Sequence, residues 1–272
     1  MAIRLGVFDS GVGGLSVLRA IRAQIPAQPV LYFADQVHVP YGSRPAEEVR
    51  RFAEGITRFL LAQGAGLIVV ACNTASAAAL KHLRQIFPHI SFVGMEPAVK
   101  PAAETTQTGI VGVLATPATF QGALYASVVE RFANGVTLLQ DTCPGLVQQI
   151  ERGDLDTHET RLILENALLP MLERGIDTVV LGCTHYPFVI PLIQEIVGAE
   201  VQVIDPAPAV ARQTGRLLAE RGALASGSEA GELRLFTSGD PKRLAALLPR
   251  LLGEVAPVHR VEWSDDEIRL VD

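Results

Sequence analysis

Val179-Val-Leu-Gly-Cys-Thr-His-Tyr-Pro-Phe188 decides how this chain is read. The apolar run ends at Gly182, and a thiol, a hydroxyl and an imidazole follow in succession as Cys183, Thr184 and His185. Tyr186-Pro187 predicts the end of the strand, because proline has no N–H for a ladder and restricts the residue before it. A buried strand that delivers reactive side chains beyond its carboxyl end is how open α/β sheets present a site. The design also occurs upstream. Leu67-Ile-Val-Val-Ala71 runs into Cys72, Asn73 and Thr74, and the helix-forming Ala75-Ser-Ala-Ala-Ala-Leu80 follows. The two half-sites are too far apart for one turn, so they predict two related lobes facing one another. A single free cysteine is commonly buried and carries no argument alone. The matched pair, with its polar followers, does.

Outward from these stretches the chain alternates. Strands are predicted over 3–8, 29–34, 67–71 and 90–94, with helices over 16–24, 46–62 and 75–87 between them. The pattern restarts at Gly109. Strands over 109–115, 136–140 and 200–204 accompany the Cys183 strand, with helices over 120–132, from 146 past Glu151, over 157–174 and over 207–221. A polar linker over 225–231 precedes a strand over 232–237, a helix over 241–252 and a last strand over 259–263. Such alternation predicts an α/β fold of two pseudo-symmetric lobes, with mainly parallel sheets flanked by helices and an active site in the crevice between them. The final elements are too few to stand alone and are assigned to the first lobe. The expected division is 1–96 plus 208–272 against 97–207.

Composition narrows the function. The 272 residues are 49% hydrophobic and 19% charged, with a net charge of −6. A mildly acidic chain without a basic block argues against nucleic acid or an anionic membrane surface as partner. No apolar run reaches the ~18 residues of a spanning helix, and the N-terminus shows no signal-peptide pattern. Three cysteines make no disulfide framework, so a cytoplasmic location is expected. There is no CxxC and no HxxxH, so no metal site is expected. Cys143, in Asp141-Thr-Cys-Pro-Gly145, is read as shaping a turn. The glycines of Gly11-Val-Gly-Gly14 lack the lysine of a P-loop. His38, Arg44 and His158 are read as solvent-facing.

Just beyond the strand ends stand Asp9, Ser10, Asp35, Cys72, Asn73, Thr74, Thr116, Cys183, Thr184 and His185. Amide and hydroxyl side chains with helix N-terminal N–H groups suit a small ligand rich in carboxylates. Two opposed thiols suit inversion at a carbon: one removes a proton from one face and the other delivers a proton to the opposite face. Thiol acidity lies close enough to neutral for both forms to be used. No lysine is placed to suggest a pyridoxal Schiff base, so no cofactor is expected and the carbanion would be stabilised electrostatically.

Four motifs in order, Asp9-Ser-Gly-Val-Gly-Gly14, Pro40-Tyr-Gly42, Ala71-Cys-Asn-Thr-Ala-Ser76 and Gly182-Cys-Thr-His-Tyr-Pro187, resemble those of the cofactor-independent glutamate racemases of the aspartate/glutamate racemase superfamily. The resemblance spans essentially the whole chain. It implies interconversion of L- and D-glutamate to supply peptidoglycan, with Cys72 acting on D-glutamate and Cys183 on L-glutamate. Asp9 and Asp35 would support the first thiol, and Glu151 and His185 the second. Substrate contacts would come from Asp9, Ser10, Tyr41, Gly42, Asn73, Thr74, Thr116, Thr119, Thr184 and His185, and a homodimer is expected. Thr116-Pro-Ala-Thr119 departs in detail from many members, which weakens the Thr119 assignment. No extension precedes the first strand of the kind some members use for activation by a peptidoglycan precursor, which argues against such activation. Three rivals stay open: an aspartate racemase, a racemase-like binding module, and a redox protein pairing Cys72 with Cys183.

Overall fold

The computed structural model describes residues 3–227 and 229–271. The first lobe begins with β1 (Arg4–Asp9), α1 (Leu15–Gln24), β2 (Val30–Ala34), α2 (Ala46–Ala62), β3 (Ala65–Val70), α3 (Asn73–Ile86) and β4 (Ser91–Gly94). The second holds α4 (Val99–Thr105), β5 (Ile110–Ala115), α5 (Pro117–Gln121), α6 (Ala123–Phe132), β6 (Thr137–Asp141), α7 (Leu146–Arg152), α8 (His158–Glu173), β7 (Thr178–Gly182), α9 (Ile190–Val197) and β8 (Gln202–Ile204). After α10 (Ala207–Glu220) come β9 (Leu233–Thr237), α11 (Pro241–Leu251), β10 (Val258–Ser264) and β11 (Glu267–Leu270).

Two sheets result, in the orders β11-β10-β9-β2-β1-β3-β4 and β6-β5-β7-β8. All pairs are parallel except β10 with β11. The C-terminal strands therefore return to the first sheet, since β9 pairs with β2 from Val30–Leu233 to Ala34–Thr237. Strand periodicity sorts the core. Leu5, Val7, Val30, Tyr32, Leu67 and Val69 face one side, toward α1 and α10. Phe8, Leu31, Phe33, Ile68 and Val70 face the other, toward α2 and α3. A strand covered on both faces must be apolar at odd and even positions alike, which is why β2 and β7 are continuous apolar runs.

The first core continues from α1 into Leu146, Ile150, Leu181 and Tyr186, so the lobes share buried apolar surface. Several sequence expectations are corrected. The expected helix over 120–132 is two helices, α5 and α6, with Gly122 extended between them. Helices α4 and α9 and the strand β11 lay outside the reading, and α3 begins directly after Cys72. Among the described residues no helix is long and apolar enough to cross a membrane.

Candidate active site

Cys72 lies two residues past β3 and caps α3: its Sγ accepts from the Ala75 N–H at 3.5 Å while its backbone stays extended. A helix N-terminus leaves its first amides without intrahelical acceptors, so α3 turns N–H groups toward the space ahead of it. Cys183 stands one residue past β7. Both cysteines line a single small cavity of about 20 Å³, together with Ser10, Tyr41, Gly42, Asn73, Thr74, Thr116, Thr184 and His185. Each cysteine is only 5% exposed. Within this wall the Asn73 amide stands out: neither its Oδ1 nor its Nδ2 has a partner among the described residues. A buried, unpaired amide carries a penalty of about 1–3 kcal/mol, which a polar ligand would relieve.

The two sulfurs have different neighbours. His185 Nδ1 lies 3.8 Å from Cys183 Sγ, and its Nε2 lies 2.7 Å from Glu151 Oε1. Burial works against a charged imidazole here, but the adjacent sulfur and carboxylate together outweigh it and hold His185 protonated well above the usual histidine range. Burial alone would also raise the Glu151 carboxyl. Hydrogen bonds from His185, Val12 N–H at 2.7 Å and Gln36 Nε2 at 3.2 Å bring it below the ordinary carboxylate range instead. The pair is an imidazolium–carboxylate.

On the opposite wall, burial and the nearby Asp9 charge push the Cys72 thiol well up, so it keeps its proton. Asp9 is itself raised, by burial first, although its Oδ2 accepts from Gly11 and Gly14 N–H at 3.1 and 3.0 Å. Asp9 therefore ties down the turn that leads into α1. Its Oδ1 is 3.4 Å from the Thr184 hydroxyl.

The glycine loop after β1 permits this crowding. A Cβ on Gly11 would stand 1.9 Å from Glu151 Oε1, and one on Gly13 would stand 2.3 Å from His185 Nδ1. No phosphate cradle is needed to explain these glycines. Gly13→Ala must displace the buried imidazole, and we expect it to destabilise the protein by about 1–3 kcal/mol in urea unfolding, the usual range for overpacking.

The ion pair also sets a pH dependence. His185, raised in the folded state, contributes stability that is complete below its unfolded value of about 6.5 and is lost as pH rises through the raised value. Glu151, lowered when folded, contributes stability present above its unfolded value of about 4.5 and lost as pH falls through the lowered one. The stability gap between the unmodified protein and Glu151→Gln should therefore be widest from about pH 4.5 to 6.5 and narrow on both sides, as urea titrations across pH would show.

The remaining residues divide by position. The Thr74 and Thr116 hydroxyls meet across the lobes at 3.0 Å, and Thr119 bonds Thr116 at 3.0 Å from behind. Thr119 is buried but forms no part of the cavity wall. Asp35 is fully buried behind Tyr41, whose hydroxyl donates to it at 2.6 Å. Cys143 is buried away from the wall, with a left-handed backbone at φ 43° tied by its N–H to Asp141 Oδ1. His38 and Arg44 are not solvent-facing loop residues. The His38 ring stacks on Phe52 at 3.9 Å and its Nδ1 reaches Asp35 at 2.9 Å, while Arg44 Nε donates to the His38 carbonyl at 2.6 Å. A neighbouring aromatic and a buried carboxylate give that imidazole more than water would. Missing from the sequence reading were Gln36 and Val12, which hold Glu151, and Ser16, whose hydroxyl donates to the Thr184 carbonyl at 2.8 Å.

Fold and cavity define a two-lobed α/β protein with paired thiols in an interlobe site. Comparison with known proteins agrees with the fold. The profile of the Asp/Glu/hydantoin racemase family matches residues 6–214, and the chain belongs to that family of isomerases. The glutamate racemase of Pseudomonas aeruginosa is 52% identical over 257 residues, covering 94% of this chain and 97% of the relative. A glutamate racemase isoform of Bacillus anthracis superposes with a TM-score of 0.85 at 32% identity, covering 98% of each chain. The Escherichia coli glutamate racemase, solved with L-glutamate and the activator UDP-MurNAc-Ala, gives 0.84 at 30% identity and covers all of both chains.

Proposed function

We propose that this racemase interconverts L- and D-glutamate by a two-base mechanism, with Cys183 acting on L-glutamate and Cys72 on D-glutamate. The observation that carries the reading is the cavity itself. One thiol from each lobe faces a common space whose wall presents an unpaired Asn73 amide. Relatives about half identical over nearly the full chain are glutamate racemases, which favours glutamate over aspartate.

The protonation pattern suits the L-to-D direction first. Cys183, whose Sγ lies 3.8 Å from His185 Nδ1, is the thiolate base that takes the α-proton of L-glutamate. The Cys72 thiol, held protonated, delivers its proton to the other face. The products are D-glutamate, a Cys72 thiolate and a Cys183 thiol, so the D-to-L turnover starts from the mirrored state. Asp9 supports the Cys72 side and Glu151, through His185, the Cys183 side. Asn73, Thr74, Thr184, Ser10 and the backbone near Gly42 hold the substrate's carboxylates and ammonium. Asp35 and Thr119 act one layer further out, through Tyr41 and Thr116.

The buried sulfurs mark a closed arrangement, so substrate enters when the lobes 1–96 plus 208–272 and 97–207 separate. In the cell this activity would supply D-glutamate for peptidoglycan from the cytoplasm, and the family resemblance favours a homodimer. Circular dichroism of protein without added cofactor tests the reading. The signal of either glutamate enantiomer should decay to zero while aspartate is untouched. Aspartate turnover instead would move the specificity, and a constant signal with folded, reduced protein would overturn the function.

A further inference from the structure

The C-terminal hairpin reaches the site through one carboxylate. Asp35 is fully buried and receives four donors: the Trp263 indole N–H at 2.8 Å and the Ser238 hydroxyl at 2.9 Å on Oδ1, and Tyr41 Oη–H at 2.6 Å and His38 Nδ1 at 2.9 Å on Oδ2. Two of these come from the chain's own turn at 38–41, which forms part of the cavity wall. The other two come from elements about two hundred residues later. A buried carboxylate is stable only when its lone pairs are filled, so each donor limits where the oxygens can sit.

Trp263 is fixed in turn by packing. Its ring stands edge-on to His38 at 5.3 Å and to Phe52 at 5.7 Å. It also lies over Gly55 of α2 so closely that a Cβ there would be 2.8 Å from the indole. At the hairpin tip, Arg51 bonds Asp266 at 2.7 Å.

We propose that Trp263 is a positioning residue of the active site: with Ser238 it anchors the Asp35 carboxylate, which fixes Tyr41 and the adjoining backbone of Gly42 on the cavity wall. Because the Tyr41 hydroxyl is spent on Asp35, this stretch meets substrate through its backbone and ring. Loosening it degrades binding rather than proton transfer. The proposal rests on the racemase reading for its kinetic consequence and on geometry alone for its structural one.

Trp263→Phe keeps an aromatic ring at this position, smaller than the indole, and removes the N–H. Loss of one hydrogen bond to a charged acceptor should raise KM for both glutamate enantiomers about tenfold while kcat stays within about twofold. Adding Ser238→Ala should raise KM further. An unchanged KM in both variants, or a fall in kcat without a change in KM, would overturn the proposal.

Trp263 is the only tryptophan in the chain, so its fluorescence supplies a readout that needs neither activity nor a foldable Trp263 variant. Tyr41→Phe should shift the Trp263 emission, because both side chains bond the same carboxylate. Gly55→Ala, which displaces the indole, should shift the emission and raise KM together. Emission identical in Tyr41→Phe and unmodified protein would refute the relay. Absence of glutamate turnover in unmodified protein would refute the racemase reading and leave the relay to be decided by emission alone.

Discussion

Replacing either Cys72 or Cys183 with serine is expected to reduce racemisation of both glutamate enantiomers by about 10³-fold or more. Inversion needs an acceptor on one face and a donor on the other, so loss of either stops both directions. A thiol can be charged or neutral near pH 7, whereas a hydroxyl is far too weak an acid to share that duty. The fold should survive. Cys72 sits at the N-cap of α3, a position serine favours, and its sulfur accepts a long bond from Ala75 N–H. Far-UV circular dichroism like that of unmodified protein, with racemisation gone, is the expected pair of results. Residual activity above about a tenth in either variant would place the reacting proton elsewhere.

The second large effect is expected at Glu151. Glu151→Gln keeps the shape that accepts from Val12 and His185 but removes the charge that helps hold His185 protonated. Without that carboxylate the imidazolium loses its proton at lower pH. The alkaline limb of kcat/KM should therefore move toward acid, and the rate at neutral pH should fall about 10²-fold, within the range of a general acid–base contribution. A falling rate with an unmoved alkaline limb would mean that Glu151 only shapes the loop after β1. The readout is the pH profile with each enantiomer as substrate.

Strand ends were legible in the chain because two local signals coincide there. An apolar run of strand length stops, and polar or reactive side chains follow at once, as at Val179–His185 and Leu67–Thr74. The same signals located Asp9 and both cysteines, and parallel alternation gave the two sheets. What was illegible lies across the lobes. Glu151 meets Val12 from 139 residues away, and Trp263 meets Asp35 from 228 away. No spacing rule reports such contacts, because they depend on how two sheets are placed against one another.

Short helices were lost for a different reason. Helix α4 sits in a crossover with Pro97 before it and Pro101 inside it, and α9 begins at Ile190-Pro191 straight after a turn. Proline in the first helical turn is a start signal as much as a break, and reading Pro191 that way would have found α9. His38 looked exposed because loop histidines usually are; Phe52 and Asp35 reverse that locally.

The central claim is that each sulfur serves one face of the substrate carbon. It is tested most directly by following exchange of the α-proton in deuterated water by NMR, with Cys72→Ser and Cys183→Ser each given D- and L-glutamate separately. Cys183→Ser, which keeps Cys72, should exchange D-glutamate faster than L-glutamate, and Cys72→Ser should show the reverse preference. Equal loss of exchange for both enantiomers in either variant would contradict separate faces and with them the two-base account.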